Sequence, residues 1–173
     1  MKTKLSVTAI LFIFILSSCK KLGVNFGINH QANFRVEAAS PLNLPFEVGT
    51  PDVTTNSSQQ FENNNTAANL VKEIKLEELK LSITSPSNKT FSFLKSIQIF
   101  ISTNSSDEVE LASLDNIVST AQTISLNCTT QNLDKYVKAS SYKLRTSVVT
   151  KETLTQAIEF RSDIKFRVKA SVL

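Results

Sequence analysis

Near the end of the chain the apolar side chains keep to one parity: Ile158, Phe160, Ile164, Phe166, Val168, Ala170 and Val172 all stand at even positions, with charged residues between them. Successive residues of a strand point to opposite faces, so a period of two held this long implies an extended segment with one dry face and one wet one. A two-residue hairpin at Ser162-Asp163 would pair Phe160 with Lys165 and force a core side chain and a solvated one onto the same face. No glycine is present there to make such a turn, so the pattern predicts one long, bent strand. From Leu22 to Val36 the same alternation recurs, with Leu, Val, Phe, Ile, His, Ala, Phe and Val at even positions and Gly, Asn, Gln and Arg at odd ones. Gly23 and Gly27 fall on its outer face, where they could mark bends or bulges.

Between these two long strands the signals are shorter. Leu42, Leu44, Phe46 and Val48 continue the alternation after Pro41, and Pro45 on the opposite parity places this strand at a sheet edge, because proline cannot donate to a ladder. Residues 49–67 are polar and low in complexity, with only Val53 and Phe61 to bury, and read as a long mobile loop. Leu70, Val71 and Ile74 have helical spacing, followed by strand alternation at Leu79, Leu81 and Ile83 up to a turn at Ser85-Pro86-Ser87-Asn88. Ile97, Ile99 and Ile101 line one face of the next strand and Phe100 the other, which predicts a central position. Thr103 to Ser106 turns the chain, and Val109 to Leu114 and Thr123 to Cys128 supply two more strands. Leu133, Tyr136 and Val137 sit at i, i+3 and i+4 behind an Asn132 cap, a short helix. Tyr142, Leu144, Thr146 and Val148 restore the strand pattern. About eight strands with one or two short helices predict an all-β fold, an antiparallel β-sandwich, since each sheet has one dry face and the two must meet. A half-open β-barrel is the competing architecture.

The N-terminus carries a different kind of signal. Lys2 and Lys4 precede an apolar run from Leu5 to Leu16, and the small residues Ser17 and Ser18 follow, the three-part layout of a secretory signal peptide. The run is shorter than the roughly 20 apolar residues a spanning helix needs. Leu16-Ser17-Ser18-Cys19 resembles the lipobox of bacterial lipoproteins, with Leu at minus three and a small residue at minus one. The resemblance implies a diacylglyceryl thioether on the Cys19 sulfur, cleavage between Ser18 and Cys19, and acylation of the freed amine by a fatty chain such as palmitate. Each buried methylene contributes about 0.8 kcal/mol, so two or three chains would fix the protein to a membrane. Neither an aspartate directly after Cys19 nor an acidic cluster follows; by what is known of lipoprotein sorting, this favours the outer membrane, facing the periplasm. The expected organisation is a signal peptide over 1–18, a lipid anchor and tether over 19–21, and a single domain over 22–173, enough chain for one core.

The formal charge of +4 invites a nucleic-acid reading, but Lys2, Lys4, Lys20 and Lys21 supply the excess. From residue 22 onward 15 basic side chains stand against 15 acidic ones, which leaves no footprint for a phosphate backbone. His30 is the only histidine, so neither a multi-imidazole zinc site nor a Cys-His pair can be built, and its parity reads as a core or rim histidine. Glu77-Glu78 and Asp107-Glu108 are neighbours in strands, expected to point to opposite faces rather than to act as paired acid and base. Ser105, Asp107, Glu108 and Glu110 lack the spacing and the glycine of a calcium loop. Gly23, Gly27 and Gly49 are the only glycines, which excludes a phosphate loop. Cys128 shares parity with Ile124 and Leu126 and reads as a buried, inert thiol, with intermolecular pairing as the alternative.

No catalytic residue, metal site or cofactor is expected. The residues support a non-enzymatic structural or interaction module, contacting another envelope protein through the edge strand at Leu42 to Val48 or through 49–67. Two alternatives stand beside it: a carrier of a lipid or other apolar ligand lined by Phe91, Phe93, Phe100, Phe160 and Phe166, and an adhesin or pilus-type subunit.

Overall fold

The computed structural model describes residues 23–173. The signal-like segment, Ser18, Cys19 and the tether lie outside the described residues. The chain forms strands β1 (Gly23–Val36), β2 (Phe46–Gly49) and β3 (Val53–Thr54), helix α1 (Ser57–Asn63), and strands β4 (Val71–Ser85), β5 (Leu94–Ser102), β6 (Val109–Leu114), β7 (Thr123–Ser125) and β8 (Asn127–Cys128). Helix α2 (Asp134–Lys138) and strands β9 (Ser141–Thr150) and β10 (Ile158–Ser171) complete it. The strands form two sheets, β1-β10-β4-β7 and β2-β9-β5-β6-β8, with β3 also on the free side of β9; every strand pair is antiparallel. The architecture is a β-sandwich, with no closed barrel.

Both long alternating segments are unbroken strands. In β1 the even positions from Ile28 to Val36 are buried and the odd ones exposed, and in β10 the even positions from Ile158 to Ala170 are buried. Their register runs from Gly23 opposite Ser171 to Val36 opposite Ile158 without a shift, so Gly23 and Gly27 mark no bulge. The inward side chains of both sheets, among them Ile28, Leu79, Leu81, Phe166, Ile97, Ile99 and Leu144, share one core. Fully burying a side chain of this size contributes about 1.5–3 kcal/mol, so the alternation is the main fold determinant.

Three differences from the sequence reading have physical causes. Val71 and Ile74 are strand residues, not helical ones. Buried positions in β4 step by three at Val71 to Ile74 and Leu76 to Leu79, and at those points the register against β10 slips past Lys72 and Glu77. Each slip is a β-bulge, which puts two residues of one strand opposite one of the other and so shifts the apolar parity. The bulge also turns both Glu77 and Glu78 to the wet face, where Arg167 and Lys165 hold Glu77 and Lys80 holds Glu78.

Second, Leu42 and Leu44 are exposed and the edge strand starts only at Phe46. Asn43 between them adopts left-handed backbone (φ 58°), which breaks the alternation. β2 does lie at a sheet edge. Third, residues 49–67 are not one long loop: they hold β3 and α1. Phe61 is 1% exposed, and Thr55, Ser57 and Thr66 are buried because their hydroxyls donate to the Ala139, Val137 and Ser171 carbonyls.

Elsewhere the expectations hold closely. β5 lies between β9 and β6, with Phe100 on its outer side, and the turn after β5 is fixed by Asp107, which accepts N–H bonds from Thr103 at 2.8 Å and Asn104 at 3.0 Å. α2 starts at Asp134 with Leu133, not Asn132, as its N-cap; Asn132 Oδ1 instead accepts from the N–H groups of Asp134 (3.3 Å) and of Ile74 in β4 (3.0 Å), tying the helix start to the first sheet. The 123–128 segment divides at Leu126: β7 joins the first sheet and β8 the second.

Candidate functional site

The crossing at Leu126 closes one flank of the sandwich. On the opposite flank β1 of the first sheet faces β2 and β3 of the second, and the only described polar links from β1 across to the second layer come from one side chain. His30 is 7% exposed on the dry face of β1. Its Nε2 lies 3.1 Å from the Thr55 carbonyl, just past β3, and its Nδ1 lies 2.8 Å from the Tyr142 hydroxyl on β9. A carbonyl can only accept, so Nε2 carries the proton and Nδ1 accepts from Tyr142. Burial pushes the His30 pKa below its ordinary value, with the Thr55 bond opposing, and burial pushes the Tyr142 hydroxyl up. Both groups are therefore neutral at neutral pH. The Phe166 ring stacks edge-on against His30 at 5.6 Å, and farther along β1 Phe26 meets Phe61 of α1 at 6.3 Å. The imidazole is a cross-link between sheets; its parity foretold the burial and not the link. Its partners, 25 and 112 residues away in sequence, carried no signal of their own.

Near the C-terminal end of β1 this flank opens into a groove of about 640 Å³, lined by Phe34, Phe160, Arg35, Glu159, Gly49 and Pro51. Phe34 and Phe160 are stacked on each other at 4.8 Å, and Phe91 and Phe93 pack on Phe160 at 5.8 and 6.3 Å. Phe166 lies apart, beside Tyr142, and Phe100 sits on the outer face of the second sheet under the Arg145 guanidinium at 4.2 Å. The five phenylalanines expected to line an apolar cavity are not gathered on one. Three are packed together in the core, one supports His30, and one is outside.

The remaining candidates have structural employment. Burial alone would raise the Asp107 carboxyl, but bonds from Lys135, Thr103 and the Asn104 N–H outweigh it and hold it well below the usual carboxylate range. Glu108 pairs with Arg145, which also reaches Glu47 of β2 at 2.5 Å. Glu110 accepts from Ser113 at 2.7 Å, so these acids bind no common point. Cys128 is half-buried rather than buried; burial and the Glu78 charge keep its thiol protonated, against a weaker Leu79 backbone bond. Among the described residues no group of three or more His, Cys, Asp or Glu side chains could hold a metal ion, and no helix is long and apolar enough to cross a membrane.

No family model matches the chain, and no curated protein matches it. Among solved structures it is similar to one of Desmodium yellow mottle tymovirus, at 11% identity, covering 88% of this chain and 90% of that one, with a TM-score of 0.30. A structure of Turnip yellow mosaic virus aligns at 12% identity, over 87% and 96% of the two chains, with a TM-score of 0.26. Likenesses that low carry nothing about function.

Proposed function

We propose that the protein is a lipid-anchored module of the cell envelope, held in a bacterial outer membrane through Cys19, that acts by binding another envelope protein and catalyses no reaction. The observation that carries the binding surface is the pairing of an edge strand with exposed leucines. β2 has a neighbour on one side only, and Leu42 and Leu44, 45% and 63% exposed, stand directly before it. An edge strand offers unpaired N–H and C=O groups to an extended partner, and apolar side chains beside it add area to the contact. The ion pair from Arg145 to Glu47 holds this edge strand in place from its outer side.

The anchor rests on the Leu16-Ser17-Ser18-Cys19 resemblance and has its own test. Cys19→Ala removes the only sulfur that could take the lipid, and the variant is expected to lose membrane fractionation; unchanged fractionation would end the anchored reading. For the binding surface, a photo-crosslinking residue at Leu44 in intact cells is expected to capture one envelope protein repeatedly. The same probe at Lys80, on the outer face of β4, is the background. Capture no stronger at Leu44 than at Lys80 would end that reading.

A further inference from the structure

The four sheet edges are protected very unequally. β7 and β8 present only three and two strand residues, and short edges are one ordinary way to discourage pairing with another chain; the β2–β3 side, assigned above to a partner, presents four plus two. β1 has fourteen. The other ordinary protections are charge, proline and bulges, and β1 has none of these between Gly23 and Phe34: no Asp, Glu, Lys, Arg or Pro, and an unshifted register. Its outward positions up to residue 33 are Gly23, Asn25, Gly27, Asn29, Gln31 and Asn33. The adjoining β10 carries a charge at each outward position from Glu159 to Lys169, so the lack of charge is particular to the edge. Among the described residues no backbone hydrogen bond joins β1 to any segment but β10. Every second residue along its far side therefore presents an N–H and a C=O with no backbone partner.

We propose that this edge pairs antiparallel with β1 of a second copy of the chain, joining two four-stranded sheets into one of eight. An arriving strand must alternate apolar and polar in phase with β1 and bring no unpaired charge against its amides. Of the described strands β1 itself meets both conditions over its length. Self-pairing about Asn29 sets Asn25 opposite Asn33, Gly27 opposite Gln31 and Phe26 opposite Ala32; a pairing about His30 also keeps the faces matched and sets Asn29 opposite Gln31. In a two-fold contact each residue on the axis meets itself. A charged side chain would there meet its own sign, whereas an amide both donates and accepts. The proposal goes beyond the binding reading above and does not depend on it, since it concerns β1 and not β2.

Disulfide trapping in the full-length protein tests it, in a Cys128→Ser background whose own dimer level, without an introduced cysteine, is subtracted. Directly opposed Cα atoms in an antiparallel pair lie about 4.5–5.5 Å apart, inside the roughly 4.4–6.8 Å that a disulfide spans. Under mild oxidation Asn29→Cys alone, or Asn29→Cys coexpressed with Gln31→Cys for the His30 register, is expected to give at least tenfold more dimer than Lys80→Cys on β4. Adding Asn25→Lys and Asn33→Lys, both exposed, is expected to cut that dimer at least tenfold with the thermal midpoint unchanged. Crosslinking no higher than at Lys80, a product containing a different protein, or a dimer indifferent to the added lysines would each overturn the proposal.

Discussion

Along one flank of the sandwich the main chain itself ties the sheets together: the Leu126 N–H donates to the Leu79 carbonyl at 2.9 Å as the strand passes between them, and the Leu133 N–H reaches Ile74 at 2.7 Å. Along the other flank β1 meets the second sheet through side chains, namely His30 on Thr55 and Tyr142 and Phe26 on Phe61. Main-chain bonds survive any single side-chain truncation, and they do not titrate. The β1 flank depends on a few groups that can be removed one at a time, and one of them can be protonated. It should be the first part of the fold to open, and it is also the flank that bears the longest unpaired edge.

The largest expected effect is from Phe61→Ala. Truncating a fully buried phenylalanine costs about 3–5 kcal/mol. Hydrogen exchange should show the amides of β1 opening before those of β4; an equal rise in both strands would break the contrast between flanks. Next is His30→Ala, which leaves the Tyr142 hydroxyl and the Thr55 carbonyl without their partner and should cost roughly 2–3 kcal/mol by chemical denaturation. A loss under about 0.5 kcal/mol would mean that water replaces the imidazole there.

Acid should act on the same bolt. The His30 pKa is lower folded than unfolded, so below the ordinary value near 6.5 the unfolded chain binds more protons than the folded one. Stability is full above that pH and falls as the pH drops through it toward the lower folded value. His30 is the only histidine. A thermal midpoint that falls between pH 7.5 and 5.5 in the wild type and stays level in His30→Gln would sharpen the comparison, and an equal fall in both would remove the imidazole as its cause. The pairs at Glu73 and Glu77 act later, since both carboxyls sit below their ordinary range and lose their contribution only in stronger acid. The smallest effect is a gain. Thr146 Oγ1 is buried in β9 with no hydrogen-bond partner among the described residues, so Thr146→Val should stabilise by about 1 kcal/mol without changing the order in which the flanks exchange.

Much of the fold was legible because it is written in parity. β1 and β10 could be read residue by residue, down to the absence of a turn at Ser162-Asp163. Where a bulge resets the parity, as at Lys72, apolar spacing was misread as helix through Val71 and Ile74, and only a 3-10 turn at Ala68–Leu70 immediately precedes the strand. Residues 49–67 misled for another reason. Thr55, Ser57 and Thr66 are buried by hydrogen bonds to carbonyls of Ala139, Val137 and Ser171, and a polar residue buried in this way looks identical in sequence to a solvated one. The His30 cross-link was half visible: its dry parity could be seen, but not the tyrosine and carbonyl that the fold carries to it. The phenylalanines were legible as core and not as a cavity, because hydrophobicity tells which side chains leave water but not whether they leave a space between them.

The register that sets Gly23 beside Ser171 also fixes how the domain answers to mechanical load. Tension applied between the two ends of the described chain would peel β1 from β10 like a zip, breaking one pair of residues after another, and would not strain all fourteen pairs together as pulling in shear does. The unzipping would begin at the uncharged stretch of β1 and reach His30 midway, so the imidazole bolt would be met as a discrete step in extension.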